Sequence, residues 1–290
     1  HHNCLPDDFT DCEKAYNSVG EDLFIEVSHG PTLVDHNLML SDRSLKLATQ
    51  GVALVHNLIC GSLVSVGIGT DNGAPIIPSP RYTPYHVHHG TQIAGFMTIL
   101  HGDMKFYNNV FIQKKIRPCM QELSDLMGSD GNMWDDCNMI TGTSPYDEYP
   151  TFEQWKKNFE GYCGMGSDVG DLYYEHLPVW ASGNCYFNGA RPWKKESDAF
   201  SDTENTVSIS LDQKDGGWYL HTNLYDFLPE NTDGIISTET LGIAFEPEQK
   251  YENPDGSPII FNQDFSGEHR DILTYAGPFI NKESASRKLF

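Results

Sequence analysis

The chain is poor in basic residues. It carries 19 Lys and Arg against 41 Asp and Glu, a net charge of −22, which argues against nucleic acid or an anionic membrane as partner. No apolar run approaches the ~20 residues that a membrane-spanning helix needs. The seven cysteines form no CxxC and no zinc-ligand rhythm, and their odd number predicts free thiols in a reducing compartment rather than a disulfide framework. A cytoplasmic location is therefore favoured over a secreted one. No signal peptide is visible; the start at His1-His2-Asn3-Cys4, without a Met, reads as a cut.

What is present fits a folded protein. Hydrophobic residues make up 39% of the 290 and charged residues 21%, the balance of a globular chain. Aromatic residues at 12% suit a sugar-binding surface as well as a β-rich core.

The first third carries a repeat. Asn17, Asn37 and Asn57 stand 20 residues apart, each followed by small or apolar residues, and the word returns at Asn109 and Asn184. Short apolar runs at such a period are the mark of stacked coils. Asn tolerates the left-handed backbone of a tight corner, and stacked amides can bond from coil to coil. No LxxLxL frame accompanies the asparagines, which disfavours a leucine-rich repeat. The expected fold is all-β: a right-handed parallel β-helix with a few peripheral helices and a C-terminal antiparallel sheet.

The stretch Asp22-Leu-Phe-Ile-Glu-Val-Ser-His-Gly-Pro holds the most conspicuous acid. A carboxylate among strand-forming residues is costly unless it is paired or put to work, so Glu26 is the candidate catalytic residue. One period further on lies Lys46. An ammonium beside Glu26 would favour the charged carboxylate, so Lys46 is expected to point away.

Residues 67–95 read as a long Gly- and Pro-rich insertion, with no continuous helix or central strand. Its end gathers Tyr82, Tyr85, His86, His88 and His89. His-x-His is a metal-ligand spacing, but no acidic or Cys partner stands at a matching interval. The preferred reading is a substrate-contacting loop without metal or other cofactor.

Helical spacing marks 116–127, and Thr151 reads as the cap of a short amphipathic helix with Glu153 near its first turn. Asp135-Asp136 does not continue into a calcium loop. From about Asn205 the pattern changes to alternation with turns at Asp215-Gly-Gly and Asn253-Pro-Asp-Gly-Ser-Pro, and further strands are expected around Ile243 and Ile259. The division is thus 1–204, a partial β-helix with inserted loops, and 205–290, antiparallel strands packed on it.

Several words of the sequence resemble the β-xylosidases of glycoside hydrolase family 120. They are the stretch around Glu26, Thr83-Pro-Tyr-His with His89-Gly-Thr and Ile93-Ala-Gly, Phe106-Tyr-Asn-Asn, and Thr240-Leu-Gly with Pro254-Asp-Gly-Ser-Pro and Gly277-Pro-Phe. The resemblance runs over nearly the whole chain. It implies retaining hydrolysis of xylosides without metal, with Glu26 as general acid/base. It further implies His29, Tyr85, His86, His89 and Thr91 as residues beside the sugar. Two departures stand out. Val87 and His88 replace a basic residue and a proline of the family, and the family's nucleophilic aspartate, in a Trp-Leu-Asp-Trp motif about one coil upstream, has no counterpart here.

The reading is a fragment of a β-xylosidase-like retaining hydrolase acting on xylosides or xylo-oligosaccharides. The alternative is a catalytically dead carbohydrate-binding remnant, and a polysaccharide lyase comes third. Homo-oligomerisation through exposed strand edges is a further possibility.

Overall fold

The structure is a computed structural model and describes residues 4–5, 21–65, 82–118, 121, 139–161, 175–231, 234–271, 274–281 and 286–290. It is predominantly β, with parallel sheets, smaller antiparallel ones and a few short helices. Among these residues no helix is long and apolar enough to cross a membrane.

The chain winds through three parallel sheets in a fixed order. After β1 (Cys4–Leu5), one turn comprises β2 (Leu23–Glu26), β3 (Thr32–Asp35) and β4 (Leu38–Met39), and the next β5 (Arg43–Ala48), β6 (Gln50–Val55) and β7 (Leu58–Ile59). The third begins with β8 (Ser62–Ser65), is interrupted by a hairpin of β9 (Tyr82–His86) and β10 (Ile93–Thr98), and ends in β11 (Gly102–Tyr107) and β12 (Val110–Ile112). After a second insertion containing α1 (Phe152–Lys157) come β13 (Val179–Ser182), β14 (Cys185–Phe187) and β15 (Phe200–Asp202). The first sheet is ordered β1-β4-β7-β12-β14-β15, the second β2-β5-β8 and the third β3-β6-β11-β13.

Alternation within each strand sorts the side chains. Leu45, Leu47, Val52, Leu54, Met104 and Phe106 point inward with others into one core, where the Phe111 and Tyr186 rings stack at 5.0 Å. On the first and third sheets, outward-facing side chains are covered by the C-terminal third. Leu38, Leu58, Val110 and Cys185 pack with Leu220, Leu224 and Phe279. Ala53 and Val55 pack with Leu241, Tyr251 and Phe261. Burial pushes the Cys60 and Cys185 thiols up to about 12, so both are inert packing groups at neutral pH.

Asn37, Asn57, Asn109 and Asn184 form the expected stack, with one correction. Asn37 donates from its amide Nδ2 to Asn57 Oδ1 at 3.0 Å, Asn57 to Asn109 at 2.9 Å, and Asn109 to Asn184 at 3.0 Å. The left-handed residue at each corner is the one before: His36, His56, Asn108 and Gly183, with φ between 52° and 67°. The ladder asparagine supplies the amide, not the turn. Asn17 lies outside the described residues. Among the described residues the regular period of 20 joins Asn37 and Asn57.

The C-terminal third holds β16 (Ile209–Lys214), β17 (Gly217–Thr222), β18 (Glu230–Asn231), α2 (Thr238–Leu241), β19 (Ile243–Ala244), β20 (Gln249–Lys250), β21 (Thr274–Tyr275) and β22 (Arg287–Lys288). β16 and β17 join through Asp215 and Gly216, both at positive φ, the two-residue turn whose twist matches paired strands. The expected strand near Ile243 is present and pairs with β20. Ile259 is in no strand; its neighbour Ile260 makes an isolated bridge to Ser237.

The two insertions are described in part. Only 82–98 of the first is described, and it is an antiparallel ribbon standing apart from the three sheets. The helix expected over 116–127 lies mostly outside the described residues. In α1 Thr151 is the N-cap and Glu153 lies in the first turn, as expected; Gln154 completes the capping box, its N–H donating to Thr151 Oγ1 at 3.2 Å and its Oε1 accepting from Thr151 N–H.

Candidate functional site

The loop Val27–Pro31 leaves β2 under constraint. Val27 has φ 51°, a conformation in which a β-branched residue is a true outlier. Gly30 follows at φ 79°, and a Cβ on it would fall 2.2 Å from the carbonyl oxygen of Gly51 on the next turn. Only glycine permits that approach.

His29 is 2% exposed and its tautomer follows from its neighbours. Leu100 N–H donates to Gln50 Oε1 at 2.7 Å, which leaves the Gln50 amide nitrogen to donate to His29 Nδ1 at 3.1 Å. His29 Nε2–H then donates to the Thr83 carbonyl at 3.2 Å. Burial lowers the His29 pKa, against its backbone bonds, so the ring is neutral. Sequence reasoning named His29 but missed Gln50, which orients it. The pair holds the base of the hairpin on the stacked sheets.

Hairpin and loop enclose a cleft of about 690 Å³, whose wall includes His29, Tyr85, His86, His89 and Thr91. All five positions expected beside a sugar are thus brought together. Tyr85 lies across its strand partner Gly95, where a Cβ would come within 2.5 Å of the phenol oxygen. It also meets His29 edge-on at 5.8 Å.

Glu26 is not part of this wall. It is exposed at the end of β2, next to Val27, which is. Its partner across the sheet is Ala48, while Phe24 pairs with Lys46. Lys46 therefore shares the outer face of Glu26, one strand over and two residues back, with its Nζ 5.5 Å from the Phe24 ring centre. Lys46 thus stands opposite Phe24 rather than Glu26: a turn here is 22 residues long in register, so the step of 20 landed two residues short of the true partner.

The far wall comes from the C-terminal third. Glu252 Oε1 accepts from His88 Nε2 in a short contact and lies 3.1 Å from His89 Nε2. Burial pushes the Glu252 carboxyl up, but the bonds and charges of the two histidines outweigh it and hold it below the usual range. The pairing spans more than 160 residues of sequence, so no local spacing announced it.

No family model matches the chain, and no curated protein does. Among solved structures, the complex of XylC with xylose matches 92% of this chain at 27% identity and a TM-score of 0.73. XylC is thus similar over nearly all of this chain, and this chain spans 37% of the length of XylC.

Proposed function

We propose that the chain carries the sugar-binding part of a β-xylosidase-like glycoside hydrolase built on a right-handed parallel β-helix. Residues 1–204 form the helix and 205–290 the flanking strands, and a xylose-containing oligosaccharide is the ligand. The observation that carries this reading is the similarity to a xylose complex across 92% of the chain. The cleft that gathers His29, Tyr85, His86, His89 and Thr91 supports it.

In this reading Glu26 is the general acid/base. Its carboxyl gives its proton to the glycosidic oxygen as the C1–O bond breaks, and as carboxylate it later takes a proton from the water that attacks C1. A retaining reaction needs a second carboxylate about 5–5.5 Å away, close to the ~4.8 Å between neighbouring strands. The described neighbour of Glu26 is Ala48. In this reading the nucleophile belongs beside β2 on the side away from β5.

A second reading, sugar binding without turnover, is favoured by that same alanine. Calorimetric titration with xylobiose tests what both share: binding that weakens about tenfold in Tyr85→Ala, with an unchanged melting curve, agrees with the proposal. Absence of binding removes it. Hydrolysis of xylobiose then separates the enzyme from the binder.

A further inference from the structure

The tip of the hairpin carries a cluster of which the sugar-binding reading uses His89 alone. Residues in a regular strand point to opposite faces, but His88 and His89 lie in a turn. Gly90 N–H bonds to the Val87 carbonyl at 2.9 Å and Val87 N–H to that of Gln92 at 2.7 Å. His89 takes φ 51°, which costs a non-glycine residue free energy. The turn brings the two imidazoles to the same side, ring centres 3.9 Å apart. Both then address one carboxylate oxygen, Glu252 Oε1.

We propose that His88, His89 and Glu252 are a binding site for a divalent transition-metal ion of the zinc class, which clamps the hairpin tip to the segment after β20. The three ligand atoms lie within 4.8 Å of one another. Ligands at ~2.0–2.1 Å around a tetrahedral zinc ion are separated by ~3.3 Å, so small side-chain movements suffice. Two imidazoles and a carboxylate form a donor set that suits zinc, cobalt or nickel, not calcium or magnesium.

The surroundings fit a clamp. Gln249 donates from Nε2 to the His86 carbonyl at 2.6 Å, already fixing the tip beside Glu252. Clefts of about 690 and 620 Å³ lie on either side, and His88 and Glu252 line both. Three protein ligands leave at least one position for water or an oxygen of a ligand. His89 serves the ion in this arrangement and contacts a sugar only through it. The site is independent of the proposed glycosidase reading, because binding is measured with no sugar present.

The test uses the full chain with His1 and His2 replaced by alanine, stripped with chelator and titrated with zinc chloride. One equivalent of zinc is expected to bind and raise the melting temperature. His88→Ala and Glu252→Gln are expected to lose affinity by about tenfold or more, with circular dichroism like the metal-free parent. Cobalt(II) in the parent should give the visible absorption of a four-coordinate site, and Glu252→Gln should abolish it. No binding by the parent, or equal binding by parent and both variants, overturns the proposal.

Discussion

Asn184 donates from its amide nitrogen to Glu196 Oε1 at 2.8 Å, and with that bond the asparagine ladder ends. Where a further turn would supply another asparagine oxygen, the chain supplies a carboxyl. Its other oxygen accepts from Tyr186 Oη at 2.7 Å, and Tyr186 Oη lies 2.9 Å from Thr143 Oγ1. Burial pushes the Glu196 pKa up, the bonds from Tyr186 and Asn184 and the nearby Asp198 adjust it, and it settles at about 7.

A pH dependence follows. Between the ordinary value near 4.5 and about 7 the folded protein holds a proton on Glu196 that the unfolded chain has released. Stability therefore falls as pH rises through this window and levels off above it. Glu196→Gln keeps the acceptor for Asn184 and removes the titration. Urea unfolding at pH 5 and pH 8 should show the variant gaining on the parent by roughly 3 kcal/mol at most. A constant difference across pH would rule out Glu196 as the titrating group.

Asn57 sits inside the ladder, so its loss is felt on both sides. Its Oδ1 accepts from the backbone N–H and the side chain of Asn37, and its Nδ2 reaches both the Val34 carbonyl and Asn109. Asn57→Ala leaves several buried groups short of a partner, at about 1–3 kcal/mol each. A loss of roughly 3–5 kcal/mol in denaturant unfolding is expected, and a loss below 1 kcal/mol would show water replacing the ladder.

Asp103 and Lys105 form a buried pair, Oδ1 to Nζ at 2.5 Å. It ties β11 to the C-terminal third, since Asp103 Oδ2 accepts from Phe245 N–H at 2.8 Å and the ammonium faces the Trp180 and Tyr251 rings. Burial pushes the aspartate pKa up and the lysine pKa down, each opposed by the partner's charge. Lys105→Met strands the carboxylate and should cost about 3–5 kcal/mol. The double variant with Asp103→Asn should recover most of this, and failure to recover would mean that packing of the lysine stem dominates.

How far the sequence disclosed this arrangement depends on distance along the chain. The Asn37–Asn57 spacing was legible because neighbouring turns without insertions repeat at nearly constant length. Asn109 and Asn184 were found from their flanking apolar words, despite the insertions between. Which residue turns the corner was not legible, since His36 and His56 stand next to asparagines that tolerate a left-handed position equally well. The partner of Glu26 was misread because a turn measured from Asn to Asn is 20 residues long, while in register through β2 and β5 it is 22. Glu252 was invisible: its meeting with His88 and His89 is made by the packing of the last third on the first, and periodicity carries no information about that.

Glu26 offers the sharpest test of the proposed chemistry, because general acid catalysis depends on the leaving group. Xylobiose expels a sugar alkoxide that must be protonated, whereas 4-nitrophenyl xyloside expels a phenolate that is stable without a proton. In a protein containing this chain and turning over both, Glu26→Gln should lower kcat on xylobiose by about 10²–10⁴. The loss in bond cleavage should be much smaller on the nitrophenyl substrate, read in single-turnover measurements that isolate the first step. Equal losses on the two substrates would take proton donation away from Glu26. A change confined to KM would make it a sugar contact, and the acid would then have to be sought elsewhere around the cleft.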